Sequence, residues 1–587
     1  MHASYDLVIR GGSIVDGLAG DPFVGDVAIS ADRIVAVGKF KGGGAEEIQA
    51  NGLLVTPGFV DIHTHYDGQV IWENRLSPSS AHGVTTVLMG NCGVGFAPCR
   101  AQDRLRLIEL MEGVEDIPGA VMAEGLTWNW ESYGEFLDAV EARPHDINVA
   151  SYLPHSPLRV YVMGERAVAG ERATDADIVR MAELTRDAMR AGALGFSSSR
   201  TLFHRSKTGD TIPTLDAGEE ELLAISQAIR ASGDGILQIV SDYKNMTDIE
   251  GEFALLKRVA QKAGRLLTLP IAQLHSAPEA WREVMARIEA ANAEGMQITA
   301  QVLPRGTGLL FGLDLSMHPF ILSPSYQAIQ HLPLAERVAR MRDPELAACI
   351  IAEPPRGPMH PLQEPMRRFE GMFEVGDALD YEPPLHSSIA ARAARAGATA
   401  EQLAYELLLA HSDQAALYMP FANYAAGNLD TVMELMRHKD VVPGLGDGGA
   451  HYGVICDASY STFMLSHWTR DRQRGEWFTV PQVVRAMACS TASMIGLHDR
   501  GVLAPGYKAD INIIDYDRLR LHPPKIAFDL PAGGRRLTQR AEGYVATIVN
   551  GTVVYREGIA TGALPGRLVR GQQSVPTTRK QNASADV

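Results

Sequence analysis

Eight short apolar runs, at 58–62, 85–89, 147–152, 193–197, 235–240, 266–273, 297–302 and 441–445, constrain this chain more than any other feature. Most are followed by stretches with apolar residues at helical spacing, among them 175–190, 217–231, 250–262 and 278–293. A strand–helix alternation repeated through eight strands is the order that closes a parallel barrel. The reading is therefore α/β: a (β/α)8 TIM-like barrel over 58–500. Between the seventh and eighth runs lies an insertion, 303–440, too long for one crossover. It should carry structure of its own.

The two ends have a different texture. Residues 1–57 and 501–565 read as short period-2 runs broken by glycines, including an Asn550-Gly551 hairpin signal. Together they are expected to form one small β-sandwich domain, followed by a flexible polar tail at 566–587. The 587 residues are 46% hydrophobic and 21% charged, an ordinary globular composition. A net charge of −16 repels phosphate backbones, so nucleic acid is excluded as a partner. No apolar run reaches the roughly 20 residues of a bilayer crossing, and the N-terminus lacks the order of a signal peptide. The expectation is a cytoplasmic protein with no membrane partner. Its five cysteines, an odd and scattered set, are read as thiols.

Three motifs carry chemistry. In Gly58-Phe59-Val60-Asp61-Ile62-His63-Thr64-His65 the two histidines are two apart at the end of the first strand, so both imidazoles face one way. The C-terminal end of a barrel strand is where barrel enzymes place reactive groups, and a metal would bind there. Cys92 ends the second strand in the turn Gly90-Asn91-Cys92-Gly93, where a thiolate can coordinate a soft or borderline cation. Asp447 follows the eighth strand in Gly446-Asp447-Gly448-Gly449, a turn that beside two histidines offers a metal ligand and a proton carrier.

The strand-borne His-x-His, the Asn-Cys-Gly turn, the final Asp and the β-domain built from both ends resemble the amidohydrolase superfamily, specifically its D-aminoacylase branch, from about residue 5 to 567. The resemblance implies a zinc-dependent barrel that hydrolyses a linear amide bond. His63, His65, Cys92 and Asp447 would hold the metal, and Asp447 would be general base and acid. The substrate it implies is an N-acyl-D-amino acid or a related N-acylated small molecule. The branch also supplies histidines from strands five and six, with a lysine two residues after the second. Here strand five ends Gln238-Ile239-Val240-Ser241-Asp242, and the strand-six positions fall on Gln273 and His275. One zinc ion is therefore expected rather than two, with a second site rebuilt from Asp242 and His275 as the other outcome. Arg200, His204 and His275 are candidate substrate contacts, an arginine fork being suited to a carboxylate. Two alternatives stay open: a cyclic-amide hydrolase of the hydantoinase or dihydroorotase kind, and a catalytically silent barrel that only binds. Each reading, the deacylase first among them, is compatible with a homo-oligomer.

Overall fold

The computed structural model describes residues 4–357, 363, 366–376 and 379–577. All eight expected strands are present: β1 (Phe59–Asp61), β2 (Val84–Met89), β3 (Asn148–Ser151, continued by Leu153–Pro154), β4 (Gly195–Arg200), β5 (Ile236–Ser241), β6 (Leu267–Pro270), β7 (Ile298–Val302) and β8 (Val441–Pro443). Each pairs in parallel with its sequence neighbour, in two groups, β1–β3 and the continuation of β3 through β8. Beyond the strand ends, the Asp447 N–H donates to the His63 carbonyl at 3.0 Å and the His65 N–H to the Gly448 carbonyl at 2.8 Å. Successive residues of one strand enter different apolar clusters: Phe59, Val87 and Val149 join one, Val60, Leu88 and Ala150 another. That burial on both faces is why these strands read as continuous apolar runs.

Helices connect the strands, among them Asp175–Ala191, Glu219–Ser232, Ile249–Ala263 and Ala280–Ala293. The first opens with a capping box, Thr174 and Asp177 each accepting the other's backbone N–H. Among the described residues no helix is long and apolar enough to cross a membrane.

Both chain ends contribute to one nine-stranded sheet in which Ile511–Ile514 pairs with Leu54–Pro57 on one side and Tyr544–Val549 on the other. Asn550 and Gly551, at φ 47° and 79°, make the expected hairpin to Thr552–Arg556. Tyr5–Ile14 is shared, pairing in parallel with Gly44–Gln49 and, after a register shift, with Leu54–Pro57. The insertion carries its own three-stranded sheet, Thr307–Phe311, Leu417–Ala422 and Phe373–Glu374, over a separate apolar cluster that includes Phe320, Met341, Met372 and Leu408.

The segment expected to fray from 566 is held in place as far as it is described. Its backbone exchanges hydrogen bonds with His145, Val149, Gly192 and Gly496, binding the foot of β3 and the turn at 496. Polar composition missed this because the pairing uses main-chain groups. Residues 578–587 lie outside the described residues.

Candidate metal centre

β1, β2 and β8 deliver the donors. Past β1 the Thr64 N–H and hydroxyl both donate to the Leu88 carbonyl of β2, at 3.1 and 2.9 Å, which pins the His63-Thr64-His65 turn. Nδ1 of His63 lies 2.9 Å from Oε1 of Gln301 on β7. Its Nε2 therefore faces inward, 3.2 Å from Sγ of Cys92 and 3.6 Å from Oδ1 of Asp447. Nε2 of His65 stands 3.6 Å from the same Oδ1.

Cys92 is held in a left-handed conformation (φ 56°), its N–H donating to Oε1 of Gln238 on β5 at 2.9 Å. The next N–H, of Gly93, donates to Ser197 Oγ on β4 at 3.0 Å. A Cβ at Gly93 would sit 2.8 Å from the Cα of Ser198, so only glycine allows this approach. Asp447, at φ 47°, follows Gly446, where a Cβ would lie 2.5 Å from Oδ2 of Asp61. The side chains of His63 and His65 are 1% exposed and those of Asp447 and His451 18%, so the centre opens on the Asp447 side.

Two more residues complete the cluster: His451, which the sequence sets at the end of the Asp447 turn, and Glu115, which no motif announced. Glu115 ends the helix Arg104–Glu115 with Oε1 3.3 Å from Nδ1 of His65 and Oε2 3.6 Å from Nε2 of His451. His451 also has its Nε2 4.0 Å from Oδ2 of Asp447. Burial lowers His63 to about 4, His65 to about 3 and His451 to about 4, leaving neutral imidazoles, the form that ligates metals. Burial raises Asp67 to about 7, and burial with the Asp447 charge lifts Glu115 well above its ordinary value. The Cys92 thiol is pushed up by burial and by the charges of Glu115, Asp447 and Asp67.

A dication fits these residues. Donor atoms of His63, His65 and Cys92 lie within 4.8 Å of one another, all buried. Tetrahedral zinc with nitrogen and sulfur ligands has ligand–ligand edges of roughly 3.3–3.7 Å. The 3.2, 3.6 and 3.6 Å separations among His63, Cys92, His65 and Asp447 are close to that range. Nδ1 of His65 and Oε2 of Glu115 are buried without a hydrogen-bond partner.

The other candidates are engaged elsewhere. Arg200 is bound through its fork to Glu252 and donates to the Ala217 carbonyl at 3.0 Å. Nδ1 of His204 meets Ser199 Oγ at 2.8 Å, and Nε2 of His275 meets the Pro420 carbonyl at 3.1 Å. Asp242 accepts from the backbone N–H groups of Leu202 and Asn245 and from Thr201 Oγ1. The side chain of Gln273 is bound to Thr431 and Ala425. Among the described residues, His63, His65 and Cys92 are the one group of three such donors, and Asp242 and His275 belong to none.

The sequence model of the amidohydrolase family matches residues 46–555. D-aminoacylase of Alcaligenes xylosoxydans xylosoxydans is 26% identical over 600 residues, covering 96% of this chain and 97% of that relative. A solved D-aminoacylase, studied for its binuclear metal center with one-metal activation and second-metal attenuation, shares the fold with a TM-score of 0.63 at 23% identity, covering 96% of this chain and 100% of that one. N-acyl-D-glutamate deacylase from Bordetella bronchiseptica, complexed with zinc and a phosphonate mimic of the reaction's tetrahedral intermediate, gives a TM-score of 0.62 at 20% identity, covering 96% of this chain and 99% of that one. With the family match spanning every strand that feeds the cluster, this chain belongs to the amidohydrolase family.

Proposed function

We propose that this protein is a metal-dependent amidohydrolase that removes the acyl group from an N-acyl-D-amino acid. The observation that carries the reading is the meeting of His63, His65 and Cys92 at one buried point, with Asp447 Oδ1 on its open side 3.6 Å from Nε2 of each histidine. The substrate class follows the D-aminoacylase and N-acyl-D-glutamate deacylase relatives. The parallel order β1 to β8, with hydrogen bonds from the β8 turn back to His63 and His65, is read as a closed (β/α)8 barrel, and the shared sheet of the chain ends as a small β-domain against it.

Zinc bound here would lower the pKa of water and polarise the scissile carbonyl. His63, His65 and Cys92 would hold it, with Asp447 on the open side. Asp447 is the group placed to take a proton from the attacking water and return it to the departing amine, because its carboxylate reaches both the donor cluster and the opening. One zinc ion is inferred, since the described residues form one such cluster. The cyclic-amide alternative finds no support at the end of β4: Gly195–Arg200 holds no lysine to bridge two metals. His204 and His275, beyond β4 and β6, are proposed to border the substrate.

The test combines zinc content by elemental analysis with turnover of a panel of N-acyl-D- and N-acyl-L-amino acids. About one zinc per chain and D-selective deacylation that fails in His63→Ala are expected. A protein that takes up no zinc on reconstitution, or that loads zinc and turns over no N-acyl amino acid, would reject the reading.

A further inference from the structure

Glu115 occupies an unfavourable place for a carboxyl group. It is 1% exposed and sits at the C-terminus of its own helix, where the helix dipole repels negative charge. Among the described residues no arginine or lysine pairs with it; the groups facing its two oxygens are His65, with Nδ1 at 3.3 Å, and His451, with Nε2 at 3.6 Å. The backbone tightens the arrangement, because the His451 N–H donates to the Glu115 carbonyl. A buried carboxyl without such partners costs several kcal/mol. Here the two imidazoles are the groups that face it, and neither closes a hydrogen bond to it.

We propose that Glu115 is the positioning residue for His65. Its Oε1 lies 3.3 Å from Nδ1, which has no other partner, so that a small turn of the ring would let it take the Nδ1 proton, fix the ring orientation and leave the lone pair on Nε2, the atom that faces Asp447. Its Oε2 faces Nε2 of His451 at 3.6 Å, and that nitrogen stands 4.0 Å from the other oxygen of Asp447. Of the two ligand histidines, His63 is hydrogen-bonded through Nδ1 to the neutral amide of Gln301, and His65 presents its Nδ1 to a carboxyl group 3.3 Å away. A carboxylate behind an imidazole raises its basicity as a ligand. The inference rests on the metal reading of the site. It adds a residue brought in by a helix between β2 and β3 rather than by a strand end.

The test is zinc affinity, measured by competition with a chromophoric chelator in the full-length protein, for wild type, Glu115→Gln and Glu115→Asp. Glu115→Gln keeps the shape and replaces the carboxyl group with an amide. It is expected to bind zinc about 10–100-fold more weakly with an unchanged circular dichroism spectrum, and Glu115→Asp is expected to recover part of the loss. Equal zinc affinity in wild type and Glu115→Gln overturns the assignment. A loss of affinity in Glu115→Gln supports it even if no N-acyl amino acid is turned over, which separates its failure from that of the deacylase reading. Should the variants not fold, 15N-histidine spectra of zinc-loaded wild type decide. A His65 ring, identified by its absence in His65→Gln, must carry its proton on Nδ1; one carrying it on Nε2 overturns the proposal.

Discussion

Oε1 of Gln301 stands 2.9 Å from Nδ1 of His63, while the same amide's nitrogen donates to Oγ1 of Thr268 at 3.0 Å. With the amide oxygen toward His63, Oε1 accepts a proton from Nδ1, and Nε2 keeps its lone pair for the cluster. Gln301→Leu preserves volume and removes the acceptor. It should weaken zinc binding by about 10–100-fold while Gln301→Glu, which still accepts, binds near wild type. Chelator competition reads both, and an unweakened Gln301→Leu would count against a ligand role for His63 Nε2.

Cys92 supplies the only soft donor of the cluster, and its thiol is raised by burial and by three neighbouring acid charges. A cation at the site offsets all of these, so the sulfur should ligate as thiolate. Cobalt-substituted protein is expected to show a near-ultraviolet thiolate-to-cobalt charge-transfer band that Cys92→Ala lacks. Because the turn is held by the backbone N–H groups of Cys92 and Gly93, the variant should keep its thermal midpoint. An identical cobalt spectrum in Cys92→Ala would remove the sulfur from the metal's ligands.

What could be read in advance follows the physics of each signal. Parallel strands buried on both faces leave continuous apolar runs, and all eight were legible for that reason. The spacing of two between His63 and His65 is a local property of extended chain. Arg200 shows the limit: a basic residue at a strand end looks available for substrate until Glu252, carried by the helix Ile249–Ala263, closes on it. Glu115 shows it from the other side. It follows the apolar Leu110, Met111 and Val114 of an ordinary helix, and only tertiary packing turns its carboxyl toward His65. The β3 contacts of the chain's last described segment use main-chain atoms, which no side-chain pattern reports.

A pH dependence of stability should originate far from the metal. Glu382, buried within the insertion, would be raised by burial, but bonds from His467, from Arg472 and from the Leu429 N–H hold it down at about 2, against an ordinary 4.5. A depressed carboxyl stabilises the fold fully above its unfolded value and loses that contribution as pH falls from about 4.5 toward 2. A shift of this size corresponds to about 3 kcal/mol. Glu382→Gln should therefore be markedly less stable than wild type at pH 6 in urea unfolding, with the gap narrowing at pH 3. A gap of equal size at both pH values would show that Glu382 contributes packing rather than charge.

Asp447 separates metal binding from proton transfer. Its backbone, at φ 47°, lies in the left-handed region that asparagine tolerates well, and its N–H bond to the His63 carbonyl does not involve the side chain. Asp447→Asn should fold as wild type and retain most of its zinc, since the amide oxygen can still face His63 and His65. It cannot take a proton from water, and loss of a general base lowers turnover by about 10²–10⁴-fold. Turnover of an N-acyl-D-amino acid at matched zinc content measures this directly. Near wild-type activity in Asp447→Asn would mean that another group moves the proton, and His451, with Nε2 4.0 Å from Oδ2 of Asp447, would be the first residue to substitute next.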